Sequence, residues 1–169
     1  MAKISAGLLM YRRRGEAAEV LLIHLGGPFW ARKDEGAWFI PKGEIESGED
    51  LLAGARREFE EETGFATPAV DGGSPSPGGE AGSSSIYMPL GETRRCGGKT
   101  MVVFAFAGDC DPAQAHSNTF EMEWPPRSGR RQEFPEADRA GWYAPAEAER
   151  KIHPGERIFL ERLAAAIAR

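Results

Sequence analysis

The feature that most constrains the fold is one amphipathic helix between Ser47 and Gly64. Ser47 is placed as its N-cap, with Asp50 three residues on in a capping-box-like pair. The helix is predicted from Gly48 to Thr63, with Gly64 as its C-terminal stop. At about 100° per residue, Leu52, Ala55 and Phe59 share one face. A face of this kind is buried against a sheet, so the flanking segments are read for strands.

Ile4 to Tyr11 and Glu19 to Leu25 are strand-like and joined by a polar turn, as in a hairpin. Gly26 to Gly36 reads as a loop, and Trp38 to Ile40 as a short strand stopped by Pro41. Beyond the helix, Ile86 to Met88 is a short candidate strand, and Lys99 to Ala107 (KTMVVFAFA) is the expected central strand. Ser117 to Trp124 reads as an extended edge segment, Pro125 to Gln132 as a basic loop and Trp142 to Ala144 as a strand. Helices are predicted from Pro145 to Lys151 and from Gly155 to Ala168. Thr67 to Ser85 is nearly all Gly, Ser, Pro and Ala, buries little, and is expected to be a mobile insertion. With 169 residues and no repeat, the expectation is one domain over residues 1–169, of α+β class, with helices packed on one sheet.

Charge and cysteine content narrow the function. The net charge of −5 argues against general affinity for long nucleic acid, yet leaves room for a small anionic substrate in one cationic cleft. Cys96 and Cys110 form no motif, against a disulfide scaffold or thiolate zinc site. No signal peptide is read at the N-terminus, and no apolar run reaches the roughly 18 residues of a membrane span. The cytoplasm is the expected location, with no membrane partner, and the chain is expected as monomer or homodimer.

The chemistry is concentrated on the helix. Glu58, Glu61 and Glu62 stand at i, i+3 and i+4 and project to one side. Three carboxylates there repel one another, a conflict that a hard cation such as magnesium or manganese removes. Taken alone, the triplet reads equally as a solvated surface with Arg57 in plain salt bridges. Arg57 can hold Glu49, two turns earlier, through paired hydrogen bonds. Gly43 lets the backbone approach a metal or phosphate, and Lys42 offers a point charge to a phosphate.

The whole pattern is Gly43, five residues, Glu49, seven residues, Arg57-Glu58-Phe59, one residue, Glu61-Glu62, one residue, Gly64-Phe65. It resembles the Nudix box at every defined position, and the order of elements resembles the Nudix domain over nearly the whole chain, residues 67–85 excepted. The resemblance implies an alpha/beta/alpha sandwich with a mixed beta sheet. It also implies hydrolysis of a nucleoside diphosphate linked to another moiety, with Mg2+ as cofactor and Mn2+ as an alternative. Carried over by position, Glu58, Glu61 and Glu62 are metal ligands, with the Gly43 carbonyl contributing, and Arg57 orients the glutamates with Glu49. The general base is Glu58 or Glu61 in some members. In others it comes from a later loop, where Glu121, Glu123, Glu133 and Glu136 are candidates; Glu133 is favoured as base or added ligand.

The stretch from Trp38 to Glu49 further resembles dinucleoside polyphosphate hydrolases of the asymmetric diadenosine tetraphosphate type. That implies a small nucleotide partner, with Lys42 and Lys99 as phosphate contacts and Tyr87, Phe120, Trp124 or Trp142 as stacking surfaces. A nucleoside triphosphate, a nucleotide sugar or capped RNA stays open as substrate, as does a sensor that only binds nucleotide. His24, His116 and His153 are read as structural or surface residues.

Overall fold

The computed structural model describes residues 3–69, 86–95 and 97–168. Most of the predicted insertion, residues 70–85, lies outside them. β1 (Ile4–Arg14) and β2 (Ala17–Leu25) form the expected hairpin, but they pair only near the turn, Tyr11 to Arg14 against Ala17 to Val20. Beyond that they separate, and the chain that follows enters the gap. β3 (Trp38–Phe39) pairs with Ile23 and His24, the strand bends at Ile40 and Pro41, and β4 (Lys42–Glu44) pairs with Ser5, Ala6 and Gly7. Gly43 therefore stands where the sheet opens.

β5 (Met88–Arg94) and β6 (Thr100–Ala107) complete one side of the sheet, and β9 (Ala137–Tyr143) borders β2 on the other. β1 and β6 run parallel and the other strand pairs antiparallel, so the seven-stranded sheet is mixed. Both faces are covered. α1 (Leu51–Thr63) lays Ala55 and Phe59 on Ala6, Leu8, Met10 and Phe106. α2 (Pro145–Lys151) and α3 (Arg157–Ile167) lay Ala148, Phe159 and Leu163 on Leu9, Leu22, Val103 and Ala105. Ala6 to Met10 is consequently buried without alternation, as a strand between two layers requires. The result is the alpha/beta/alpha sandwich that the resemblance implied.

Boundaries moved for identifiable reasons. The N-cap of α1 is Asp50, not Ser47: its carboxylate accepts from Ala53 N at 3.0 Å. Residues 46–49 cannot be helical, because Gly48 has φ +80° and Glu49 N–H turns back to Glu46 O. Gly64 ends the helix as expected, left-handed at φ +77°, its N–H on Glu60 O. β5 begins at Met88, where that strand was expected to end, and runs on to Arg94. The basic loop gives way to a hairpin: β7 (Thr119–Glu123) pairs with β8 (Arg131–Pro135) as a separate two-stranded sheet. β9 starts five residues before the predicted Trp142. Its charged Asp138 and Arg139 hid it, and both belong to a strand on the border of the sheet. The last helix is shorter than expected, a 3-10 turn over Pro154–Glu156 preceding α3.

Candidate functional site

Arg57 organises the carboxylates. Its Nε and Nη2 donate to Glu49 Oε2 and Oε1 at 2.8 and 3.0 Å, the paired geometry that a guanidinium favours. Its Nη1 donates to Glu58 Oε1 at 2.8 Å and lies 3.4 Å from Glu61 Oε1; Nη2 also reaches Glu44 O at 3.3 Å. Glu49 additionally accepts from Glu46 N at 3.0 Å. The Arg57 bonds, helped by that N–H, hold the Glu49 carboxyl down at about 2.

Glu58 lies directly against Gly43, and a Cβ there would overlap its carboxylate. That is the reason only glycine fits at this position. Burial raises the Glu58 carboxyl, and the charges of Glu61 and Glu136 add to the effect against Arg57. Glu62 accepts from Lys42 N at 2.9 Å. Burial pushes its carboxyl up to about 8, opposed by the Lys42 ammonium and N–H and reinforced by Glu58 and Glu136.

Glu136 is thus the loop carboxylate that the fold brings to the box. It is half-buried at the junction of β8 and β9, and burial followed by the Glu61 charge raises its carboxyl. Glu133, the favoured candidate, is exposed on the hairpin opposite Glu121, and Glu123 is exposed on the same hairpin. A tertiary contact selects Glu136: Asn118 N–H donates to Glu61 O, and Glu136 N–H donates to Asn118 O, both at 2.9 Å. Nothing in local sequence pattern marks it over Glu133.

The other expected contacts lie as follows. The Lys42 ammonium is 2.9 Å from Glu156 Oε2 and 4.5 Å from the centroid of the Phe39 ring, so a carboxylate already holds it. Glu156 is completely buried and also takes Arg95 Nη2 at 2.7 Å and Ile40 N at 2.8 Å. Sequence reading missed this clamp, since a glutamate in a helix-start sequence looks like a surface residue. Lys99 is exposed in the β5–β6 turn. Tyr87 is 3% exposed and packs beside Phe106, its hydroxyl donating to Pro68 O; it presents no open ring face. Trp142 is tied to Cys110 O through its ring N–H at 3.1 Å and covered by Arg12.

The histidines stand at structural or surface positions. His24 is buried between Asp138 Oδ1 and Lys33 O, and His153 stacks on Phe39. His116 is exposed over Gly64.

These donors suit a hard dication in kind: carboxylate oxygens, three of them raised chiefly by burial and further by neighbouring carboxylates, with one against a glycine backbone. They are not gathered into a finished cage. Among the described residues, no group of three His, Cys, Asp or Glu stands ready to hold a metal. Nor, among those residues, is any helix long and apolar enough to cross a membrane.

Comparison with known proteins agrees with the geometry. Over 68 residues, 40% of its length, the chain is 37% identical to Nudix hydrolase 7 of Arabidopsis thaliana, and the match spans only 23% of that relative. In fold it is similar to a C. elegans Ap4A hydrolase binary complex, with TM-score 0.58 and 19% identity over 99% of this chain and 98% of that one. It is also similar to the NUDIX domain of Shewanella oneidensis NrtR complexed with ADP ribose, with TM-score 0.62 and 12% identity over 99% and 89%. At those identities the two structures speak for the fold alone. The NUDIX domain family profile matches residues 1–163. With its box residues assembled around Arg57 and Gly43 and nearly its whole length matched, the chain belongs to the NUDIX domain family.

Proposed function

We propose that this chain hydrolyses a phosphoanhydride bond in a nucleoside polyphosphate, a dinucleoside polyphosphate foremost, with magnesium or manganese as cofactor. The observation that carries the proposal is the carboxylate group itself. Glu58 is seated on Gly43, Glu62 is held by Lys42 N–H, and Glu61 and Glu136 add negative charge around them. Such crowding is unfavourable in the free protein and favourable once a dication is shared.

Glu58, Glu61 and Glu62 would hold the metal, with the Gly43 carbonyl and Glu136 as further oxygens. Bound there, the metal supplies charge neutralisation on the phosphates and acidifies a water. The chain's own residues do the rest. Arg57 fixes the Glu58 carboxylate and is itself braced by Glu49. A glutamate, Glu58 or Glu61, takes the proton of the attacking water. The water oxygen bonds to phosphorus, the bridging P–O bond breaks, and the departing phosphate keeps the electron pair.

Product analysis tests the reading: diadenosine tetra- and hexaphosphate, nucleoside triphosphates, ADP-ribose and a nucleotide sugar at millimolar magnesium. Adenosine triphosphate plus monophosphate, formed from the tetraphosphate well ahead of the other reactions, is the expected result. Pyrophosphate released mainly from one triphosphate would move the chain to mononucleotide substrates. No turnover and no stabilisation by either metal would end the hydrolase reading.

A further inference from the structure

The β7–β8 hairpin has no role in the sheet, yet its base is bonded to the box helix. Asn118 N–H donates to Glu61 O and His116 N–H to Thr63 O, each at 2.9 Å. The hairpin also packs on the loop after β2. Gly26 N–H donates to Glu136 O at 3.0 Å, and at Gly27, with φ +96°, the ring of Phe120 stands 3.1 Å from where a Cβ would be. Phe120 and Phe134 anchor this contact, their centroids 6.0 Å apart.

A second aromatic pair lies farther out and is not needed as an anchor. Phe29 meets Trp124 edge-on, with centroids 5.8 Å apart, and Phe29 is 64% exposed. A large aromatic ring left open to water beside the hairpin offers a stacking surface. Next to it the hairpin end carries Arg127, Arg130 and Arg131, all exposed. Arg131 reaches Glu121 at 3.7 Å, while Arg127 and Arg130 have no ion-pair partner among the described residues. The hairpin's Glu121 and Glu133 face each other nearer its base. Aromatic faces beside uncommitted guanidinium groups suit a nucleobase followed by phosphates.

We propose that Phe29 and Trp124 form the binding surface for the second nucleoside of a dinucleoside polyphosphate, the one remote from the attacked phosphorus, with the neighbouring arginines along its phosphates. Reach supports this choice. Trp124 is six residues beyond Asn118, up to about 20 Å along an extended strand. The base attached beside the cleaved bond stays near the carboxylates, whereas a second base across several phosphates is carried outward. A mononucleotide has nothing to place there.

The inference rests on the dinucleoside reading above, and its test is chosen to fail separately. Calorimetric titration compares a methylene-bridged, non-hydrolysable diadenosine tetraphosphate with a methylene-bridged ATP analogue at millimolar magnesium, in the wild type, Phe29→Ala, Trp124→Ala and Trp124→Phe. The quantity read is the ratio of the two affinities. It should favour the dinucleotide in the wild type and fall on the order of tenfold in each alanine variant, with Trp124→Phe retaining most of it. Phe29→Ala removes an exposed ring, so its thermal midpoint should stay near wild type and keep the result interpretable. An unchanged ratio in Phe29→Ala and Trp124→Ala, or no wild-type preference, overturns the arm as a nucleoside site. Turnover of diadenosine tetraphosphate is measured independently. Its absence with the ratio behaving as expected would sink the hydrolysis and leave the binding surface standing.

Discussion

Glu156→Gln isolates the buried clamp on the far side of Lys42. The substitution keeps the volume and leaves one oxygen for Ile40 N–H, now 2.8 Å from Oε1. It removes the charge and can turn an amide N–H2 toward Arg95 Nη2 and Lys42 Nζ, which sit 2.7 and 2.9 Å from Oε2. Two cations then face a donor. Removing one partner from a buried ion pair costs about 3–5 kcal/mol. Both cations keep some exposure, 19% for Lys42 and 30% for Arg95, so water recovers part of the loss. The expectation is about 2–3 kcal/mol. For a domain of this size that lowers Tm by roughly 4–12 °C. Urea unfolding measures it directly, and a double-mutant cycle with Lys42→Met should recover part of the cost, because one unpaired cation is gone. A shift below about 0.5 kcal/mol, within the range of ordinary surface changes, would refute the clamp.

Other expectations concern the box and the core. Glu61→Gln should keep the fold, by circular dichroism and thermal melting, and reduce turnover by about 10²-fold or more; an active, folded variant removes Glu61 from its role. Gly43→Ala drives a methyl into the Glu58 carboxylate, so it should abolish stabilisation by magnesium at a folding cost of about 1–3 kcal/mol; normal metal response would contradict the packing. Phe59→Ala should cost about 3–5 kcal/mol by urea denaturation, since the ring is fully buried between α1 and the sheet. The metal-free protein should respond to pH in a definite sense. Glu62 titrates near 4.5 when unfolded and about 8 when folded, so the native state binds more protons between those values. That contribution is complete below about 4.5 and is lost as pH rises toward 8. Glu49, held down at about 2, acts in the opposite sense only at lower pH. Unfolding midpoints should therefore fall across that window, Glu62→Gln should flatten the fall, and magnesium should stabilise more at its upper end.

The carboxylate triplet was legible because Glu58, Glu61 and Glu62 lie within one helix. The spacing of Glu58, Glu61 and Glu62 follows from helical periodicity and the terminator Gly64 from its place after the last turn, whereas Gly43 and Glu49, outside the helix, were marked by the box pattern that the chain resembles. β1, β2 and β6 were legible too, since their apolar runs reflect burial between two layers. What escaped depends on residues far apart in the chain. Glu136 and Glu133 look alike in sequence, and tertiary contacts to Asn118 and Gly26 hold Glu136 beside the cluster. Glu156 is held by Ile40, Lys42 and Arg95, residues far from it in the chain, a setting no single segment announces. The start of α1 shifted because Glu49 bonds Arg57 instead of continuing a helix. β8 and β9 carry Arg131, Glu133, Asp138 and Arg139, whose charges mask strands with a solvent-facing side.

The base of the β7–β8 hairpin closes on itself: Glu136 N–H bonds Asn118 O, and Asn118 N–H bonds the last turn of α1. Residues 119–135 extend beyond that closure, braced by Phe120 and Pro135 on the loop after β2. The helix carbonyl is satisfied by the base alone, whatever length or composition the hairpin has above it. Chemistry and preference are therefore inherited through different stretches of chain. Descendants of this sequence can exchange the arm, and with it the molecules they admit, while the carboxylates stay where Arg57 and Gly43 keep them.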